Sequence, residues 1–303
     1  MKVLVTGVAG QLGHDMINEL NRRGYEAIGS DLATGMEIDH AYVSMDITDA
    51  EQVNQTIRQI CPDAVIHCAA WTAVDAAEDE ENREKVYAVN VKGTEFIAKA
   101  CASIGAKMMY ISTDYVFDGQ GESPWKPDCK DYAPLSVYGQ TKLEGELAVV
   151  NTLSEYFIVR IAWVFGVNGN NFIKTMLNVG KRFPVLRVVN DQIGTPTYTF
   201  DLAKLLADMI GTSKYGYYHA TNEGGYISWY EFANAIFNQA VSMGHEEYKD
   251  LKVTPVTTEE YGISKAVRPF NSRLDKSKIV EAGFKPLPIW QDALKRYMKD
   301  IEF

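Results

Sequence analysis

The first thirteen residues restrict the architecture more than any other stretch. Lys2-Val3-Leu4-Val5-Thr6 is a short apolar run that leads straight into Gly7-x-x-Gly10-x-x-Gly13. Such a run suits a strand buried on both faces of a parallel sheet. The glycines let backbone approach a ligand closely. The helix expected next, reaching about Arg23 and closed by Gly24, would offer amide N–H groups and a positive dipole end. Strand, glycine turn and helix in this order are the setting in which a pyrophosphate is bound, so Gly7, Gly10 and Gly13 are candidate cofactor contacts. Asp31 follows the second expected strand, residues 25–30. There its carboxylate is placed to accept hydrogen bonds from ribose hydroxyls, which favours NADH over a cofactor whose 2′-phosphate it would repel.

The same unit recurs along the chain. Thr48-Asp49-Ala50-Glu51 reads as a capping box opening a helix to about residue 60, and 64–67 is a third buried strand. A long helix is expected over 82–104, a strand over 108–111, a helix from Tyr138 to about 150, and a strand over 156–160. Strands alternating with helices imply an α/β fold with a doubly wound parallel sheet of Rossmann type. The division expected is a dinucleotide-binding domain over 1–165 and a smaller mixed α/β substrate lobe over 166–303, with 190–212 packing back on the first. Asp46-Ile47, after the short strand-like segment 42–45, could grip an adenine ring between a carboxylate and an apolar side chain, or could be ordinary turn residues. Cys68-Ala69-Ala70-Trp71-Thr72 follows the third strand at the carboxyl edge, where doubly wound sheets bind ligands.

Tyr138 and Lys142 are four residues apart, so on a helix they share a face. An ammonium beside a phenol lowers the phenol's pKa from about 10 toward working pH, where it can act as a general acid. The spacing also occurs at Tyr248/Lys252 and Tyr261/Lys265. Only Tyr138 lies downstream of both the glycine turn and a strand ending in hydroxyls, and Ser112 or Thr113 could bond the same reacting oxygen.

The 303 residues carry a net charge of -10, which argues against nucleic acid or an anionic membrane as the main partner. Four scattered cysteines form no C-x-x-C pair and read as reduced thiols of a cytoplasmic protein without structural zinc. No apolar run reaches membrane-spanning length. In the C-terminal lobe, the segment 268–274 offers Arg268 and Arg273, whose fork geometry suits a diphosphate or an ordinary surface ion pair. Trp229, Trp290 and the clustered Tyr215, Tyr217 and Tyr218 read as core.

The glycine turn, Ala69-Ala70-Trp71-Thr72-Ala73-Val74-Asp75, Ser112-Thr113-Asp114-Tyr115-Val116-Phe117, Tyr138-Gly139-Gln140-Thr141-Lys142, Arg160-Ile161-Ala162-Trp163, Gly169-Asn170-Asn171-Phe172 and Asp191-Gln192-Ile193-Gly194-Thr195-Pro196-Thr197 together resemble the extended short-chain dehydrogenase/reductases. Within that group the chain is most similar to the dTDP-4-dehydrorhamnose reductases. The resemblance implies NADH or NADPH as cofactor and a dTDP-linked 4-keto-6-deoxy sugar as substrate, its C4 carbonyl being reduced. It implies cofactor contacts at Gly10, Gln11, Leu12, Asp31, Asp46, Ile47, Ala69, Ala70, Trp71, Tyr110, Tyr138 and Lys142. Trp71 stands where relatives often carry histidine. Tyr138 would give the proton, Lys142 would hold the ribose and lower the tyrosine pKa, and Thr113 would bond the reacting oxygen. Asp114 and Trp163 would touch the sugar, with Asn171 on the same side. Some relatives hold Mg²⁺ at a homodimer interface. Asp15 occupies the corresponding region here, and the metal stays open. Two other readings stand beside this one: a reductase of a UDP-linked keto sugar, and a non-catalytic NADP-binding regulatory subunit.

Overall fold

Strand β1 (Lys2–Thr6) is an interior strand of a seven-stranded sheet. The computed structural model describes residues 1–32 and 40–303. Around β1 the chain lays down α1 (Gln11–Arg22), β2 (Glu26–Asp31), β3 (Ala41–Ser44), α2 (Ala50–Ile60) and β4 (Ala64–His67). Then come α3 (Glu80–Tyr87), a π-helical turn (Ala88–Gly93), α4 (Thr94–Ile104), β5 (Lys107–Thr113), α5 (Val137–Thr152) and β6 (Tyr156–Ile161). The sheet order is β3-β2-β1-β4-β5-β6 with Gly216–His219 as the outer strand beyond β6. Every pairing in it is parallel. The order reverses between β1 and β4, which opens a crevice at the carboxyl ends of the strands.

Strand period two sorts the sheet residues into two cores. Val3, Val5, Ile66, Met109 and Phe157 face Leu12, Met16 and Leu20 of α1, together with Leu202, Leu205 and Leu206 of a helix that returns from later in the chain, Thr199–Ile210. Leu4, Val65, Met108 and Ile158 face Val53, Ile57, Ile97 and Val149 on the opposite side. The return to the first domain therefore includes the expected helix and also the strand Gly216–His219. That strand escaped the sequence reading because its tyrosines look like generic core.

Helix α2 is capped by Asp49, whose side chain accepts from the backbone of Glu51 and Gln52, and not by Thr48. Thr48 instead donates to Asp46 at 2.7 Å, so the expected capping box does not form and the cap lies one residue later. The helix expected over 82–104 is interrupted by the π turn, a feature that tends to mark functional segments.

The C-terminal lobe has its own core of Phe165, Ile173, Leu177, Phe232, Ile236, Trp290 and Tyr297. It is built on α6 (Phe172–Gly180), α8 (Trp229–Ser242) and the last helix, Trp290–Asp300, while α7 (Thr199–Ile210) is the helix that returns to the first domain. Strand Lys252–Val256 pairs parallel with Val185–Val189 at its outer side.

Candidate active site

A cavity of about 1070 Å³ follows the crevice. At one end lies the glycine turn. Gly7 has φ of +76° and donates its N–H to the Ser30 carbonyl at 2.8 Å, and a Cβ there would stand 2.6 Å from the Ala69 nitrogen. A Cβ at Gly13 would collide with the Gly7 carbonyl oxygen. These glycines let the loops after β1 and β4 come together at the N-terminus of α1, which leaves amide groups turned toward the cavity. That cradle fits a dinucleotide diphosphate. Gly13→Ala is expected to weaken NAD(P)H binding about tenfold or more by overpacking this turn, read by titrating nicotinamide fluorescence.

Asp31 lies on the wall, and its Oδ2 accepts from the Ala9 N–H at 2.9 Å. The carboxylate thus fastens the glycine turn to the end of β2, alongside any ribose contact. Asp46 and Ile47 also line the cavity, as do Gln11, Leu12, Ala69, Ala70 and Trp71.

At the other end stand Thr113, Asp114, Tyr138, Lys142 and Trp163. Ser136 caps α5 by accepting from the Gly139 N–H at 3.1 Å, which fixes the start of the helix beside the site. Gly139 matters here, because a Cβ would strike the Tyr115 carbonyl oxygen. Its absence lets the first turn of α5 lie against the end of β5. The Tyr138 ring stands edge-on to Tyr115 at 5.4 Å and 80°. Thr113 is the polar side chain that opposes the effect of burial on its phenol. Thr113 in turn donates to Asp114 Oδ1 at 3.1 Å and accepts from the Tyr115 N–H at 3.2 Å. Tyr138, Thr113 and Asp114 therefore stand together as one polar row on the cavity wall. Burial raises Asp114 to about 6, while Ser272 from the C-terminal lobe pulls the other way. Ser112, the other hydroxyl candidate, is buried on the wall, and its Oγ has no hydrogen-bond partner among the described residues.

Lys142 is almost fully buried, donates to the Ile111 carbonyl at 2.7 Å and sits 4.0 Å above the Tyr110 ring. Burial holds its ammonium down at about 7, against the opposing pull of Glu146. The expected lowering of the tyrosine pKa by Lys142 is not found. Burial instead pushes the Tyr138 phenol well above its ordinary value, with Thr113 opposing and the Asp114 carboxylate adding to the rise. A phenol in that condition stays protonated across neutral pH.

The family described as RmlD substrate binding domain matches residues 1–303. The chain belongs to that family. Its RmlD-family relatives include the spore coat polysaccharide biosynthesis protein SpsK of Bacillus subtilis, 40% identical over 99% of this chain and 97% of SpsK. The dTDP-4-dehydrorhamnose reductase of Aggregatibacter actinomycetemcomitans is 40% identical over 97% of both proteins. Among solved structures, the dTDP-4-dehydrorhamnose reductase of Bacillus anthracis in complex with NADP has a TM-score of 0.87 at 39% identity, covering 99% of both chains. The resemblance read from the motifs holds, and with it the oxidoreductase class and the Rossmann-type sheet.

Three of the expected site residues of this RmlD-family chain lie off the cavity wall. Tyr110 is wholly buried beneath Lys142, and its hydroxyl donates to the Lys142 carbonyl at 3.3 Å. Asn171 caps α6 through the Lys174 N–H and bonds Gln11, Gly166 and Tyr297. Arg268 makes a two-pronged ion pair with Asp75, at 3.1 and 2.6 Å, and holds that carboxylate below its usual range. Arg273 donates to Asn271 Oδ1 at 3.1 Å within its own segment.

Other residues reach the site without a sequence signal of their own. Asn90, in the π turn, accepts from the Trp71 N–H at 2.8 Å and donates to Thr141 at 3.0 Å, so it ties the loop after β4 to α5. Asn168 donates to the Ala9 carbonyl at 2.7 Å, and Gln11 accepts from the Gly166 N–H at 2.8 Å. The loop before α6 is thereby stitched onto the glycine turn.

Asp15 is half-buried, and its carboxylate accepts from the Thr199 hydroxyl. Among the described residues no three His, Cys, Asp or Glu side chains are grouped to hold a metal ion, and Mg²⁺ finds no support here. No helix among them is long and apolar enough to cross a membrane.

Proposed function

We propose that this chain reduces the C4 carbonyl of dTDP-4-dehydro-β-L-rhamnose (dTDP-6-deoxy-L-lyxo-4-hexulose) to dTDP-L-rhamnose at the expense of NADPH or NADH. The observation that carries the reading is the Tyr138–Thr113–Asp114 row facing the same cavity as the glycine cradle. The full-length likeness to proteins named dTDP-4-dehydrorhamnose reductase, one of them solved with NADP, supports the substrate and the cofactor class.

When bound, the nicotinamide supplies the hydride. The chain's own residues do the rest. Tyr138, protonated at neutral pH, donates its proton to the oxygen that becomes the new hydroxyl. Thr113 stands beside the phenol at the cavity, while Asp114 fixes the direction of the Thr113 hydroxyl. Lys142 brings a positive charge close to the developing alkoxide, and fixed donors aimed at growing charge are the largest protein contribution to such a step. Asp114 and Trp163 border the part of the cavity we assign to the sugar. Asp31 reads as a ribose contact, with its Ala9 bond holding the cradle shut.

The test is oxidation of NADPH and of NADH, followed at the nicotinamide absorbance, with the dTDP-linked keto sugar and then its UDP counterpart. Turnover with the dTDP sugar alone is the expected outcome. Equal rates with the UDP sugar would overturn the nucleotide assignment. Cofactor binding without turnover of either would favour a non-catalytic subunit.

A further inference from the structure

Among the described residues, Trp163 is one of two non-glycine residues with positive φ, at +51°. A tryptophan pays a steric penalty in the left-handed region, and such outliers persist where surrounding structure enforces them. The enforcement is visible. The Trp163 carbonyl accepts from the Thr197 N–H at 3.0 Å, and the next two residues pair with Thr197–Tyr198. One edge of its indole abuts Gly194, where a Cβ would lie 2.8 Å from Trp163 Cε2. One face is covered by Trp229, with ring centroids 3.7 Å apart and planes within 14°.

Trp229 is itself rigidly placed. It opens α8 behind a capping box of Ser228 and Glu231, and Ile227 pairs with Gly194 in an antiparallel bridge. It also leans on Phe172 at 4.5 Å, the first residue of α6 and the second after Asn170. Trp163 and Asn170 both line the cavity, whereas Trp229 does not. One side chain outside the cavity thus backs the residue that borders the end assigned to the sugar and props the loop carrying a second.

We propose that Trp229 is a positioning residue for the sugar of the substrate, holding Trp163 in its strained conformation against the cavity. The inference rests on the substrate reading above. Its role is in substrate binding and leaves the Tyr138 end untouched, so its loss changes KM and leaves kcat and cofactor affinity alone.

The experiment compares wild type with Trp229→Ala, Trp229→Phe and Gly194→Ala, measuring kcat and KM for the dTDP-linked keto sugar and the dissociation constant of NADPH. Trp229→Ala is expected to raise KM about five- to tenfold, the range of a lost aromatic stack. Its kcat and NADPH affinity stay within about twofold. Trp229→Phe restores most of the KM. Gly194→Ala, which crowds the indole from its edge, raises KM as well and gives an independent reading should Trp229→Ala fold poorly. Unchanged KM in the soluble variants, or a fall in kcat alone, would overturn the role. An inert wild type would overturn the substrate reading and this inference with it, whereas an active wild type with unchanged variants removes only the inference.

Discussion

Tyr138→Phe should cut turnover of the keto sugar by about a hundred- to ten-thousandfold, the usual worth of a positioned general acid. NADPH affinity should hardly change. The substitution removes one oxygen and keeps the ring that packs edge-on against Tyr115, so the wall of the cavity keeps its shape. What is lost is the proton that burial keeps on the phenol beside Thr113 and Asp114. Pre-steady-state absorbance and a fluorescence titration of NADPH check both halves of the expectation. A variant that keeps more than about a tenth of wild-type kcat would show that another group delivers the proton.

Arg160→Met should destabilise the fold by about 3–5 kcal/mol, the cost of leaving one partner of a buried ion pair alone. Arg160 and Glu146 are both fully buried. The guanidinium donates to the two carboxylate oxygens at 2.8 and 2.7 Å, to the Pro127 carbonyl at 3.2 Å and to the Tyr132 hydroxyl at 3.1 Å. It also lies within 5.0 Å of the Phe117 ring and 4.8 Å of the Tyr217 ring. Removing it strands the Glu146 carboxylate without its partner. Urea unfolding measures the loss, and pairing the change with Glu146→Leu should recover most of it. A loss below about 1 kcal/mol at pH 7.5 would mean that water or a shifted side chain replaces the guanidinium.

Glu146 also ties this pair to the chemistry. It lies one helical turn beyond Lys142 and raises that lysine's pKa against the effect of burial. The variants at Arg160 thus bear on activity as well as on stability, and the two readouts should be taken on the same preparations.

Local chemistry explains what could be read along the chain. The strand–glycine–helix start, the alternation of strands and helices, and the four-residue spacing of Tyr138 and Lys142 depend on neighbours within about twenty residues, so pattern alone suffices. Asp31, Asp46, Ile47, Ala69, Ala70 and Trp71 were placed by the same logic, since doubly wound sheets bind ligands at strand ends, and all six line the cavity. The residues that pattern could not place make contacts across long sequence separations. Asn168 reaches Ala9, Ser272 reaches Asp114, Arg160 reaches Glu146 and His219, and Trp229 covers Trp163. Arg268 shows the complementary limit. Its type suits a phosphate, yet its position opposite Asp75 gives it a carboxylate partner inside the chain. Trp229, read as core from its composition alone, is packed as expected, but against a cavity residue whose backbone conformation no sequence pattern announced.

The most direct measurement follows the hydrogen itself. The wild-type protein would be given the dTDP-linked keto sugar and NADPH deuterated on the transferring face of the nicotinamide, and the sugar product examined by NMR. Carbonyl reduction predicts one deuterium at C4 of the deoxy sugar for each nicotinamide oxidised. Nicotinamide oxidised without deuterium at C4, or deuterium at another carbon, would contradict it.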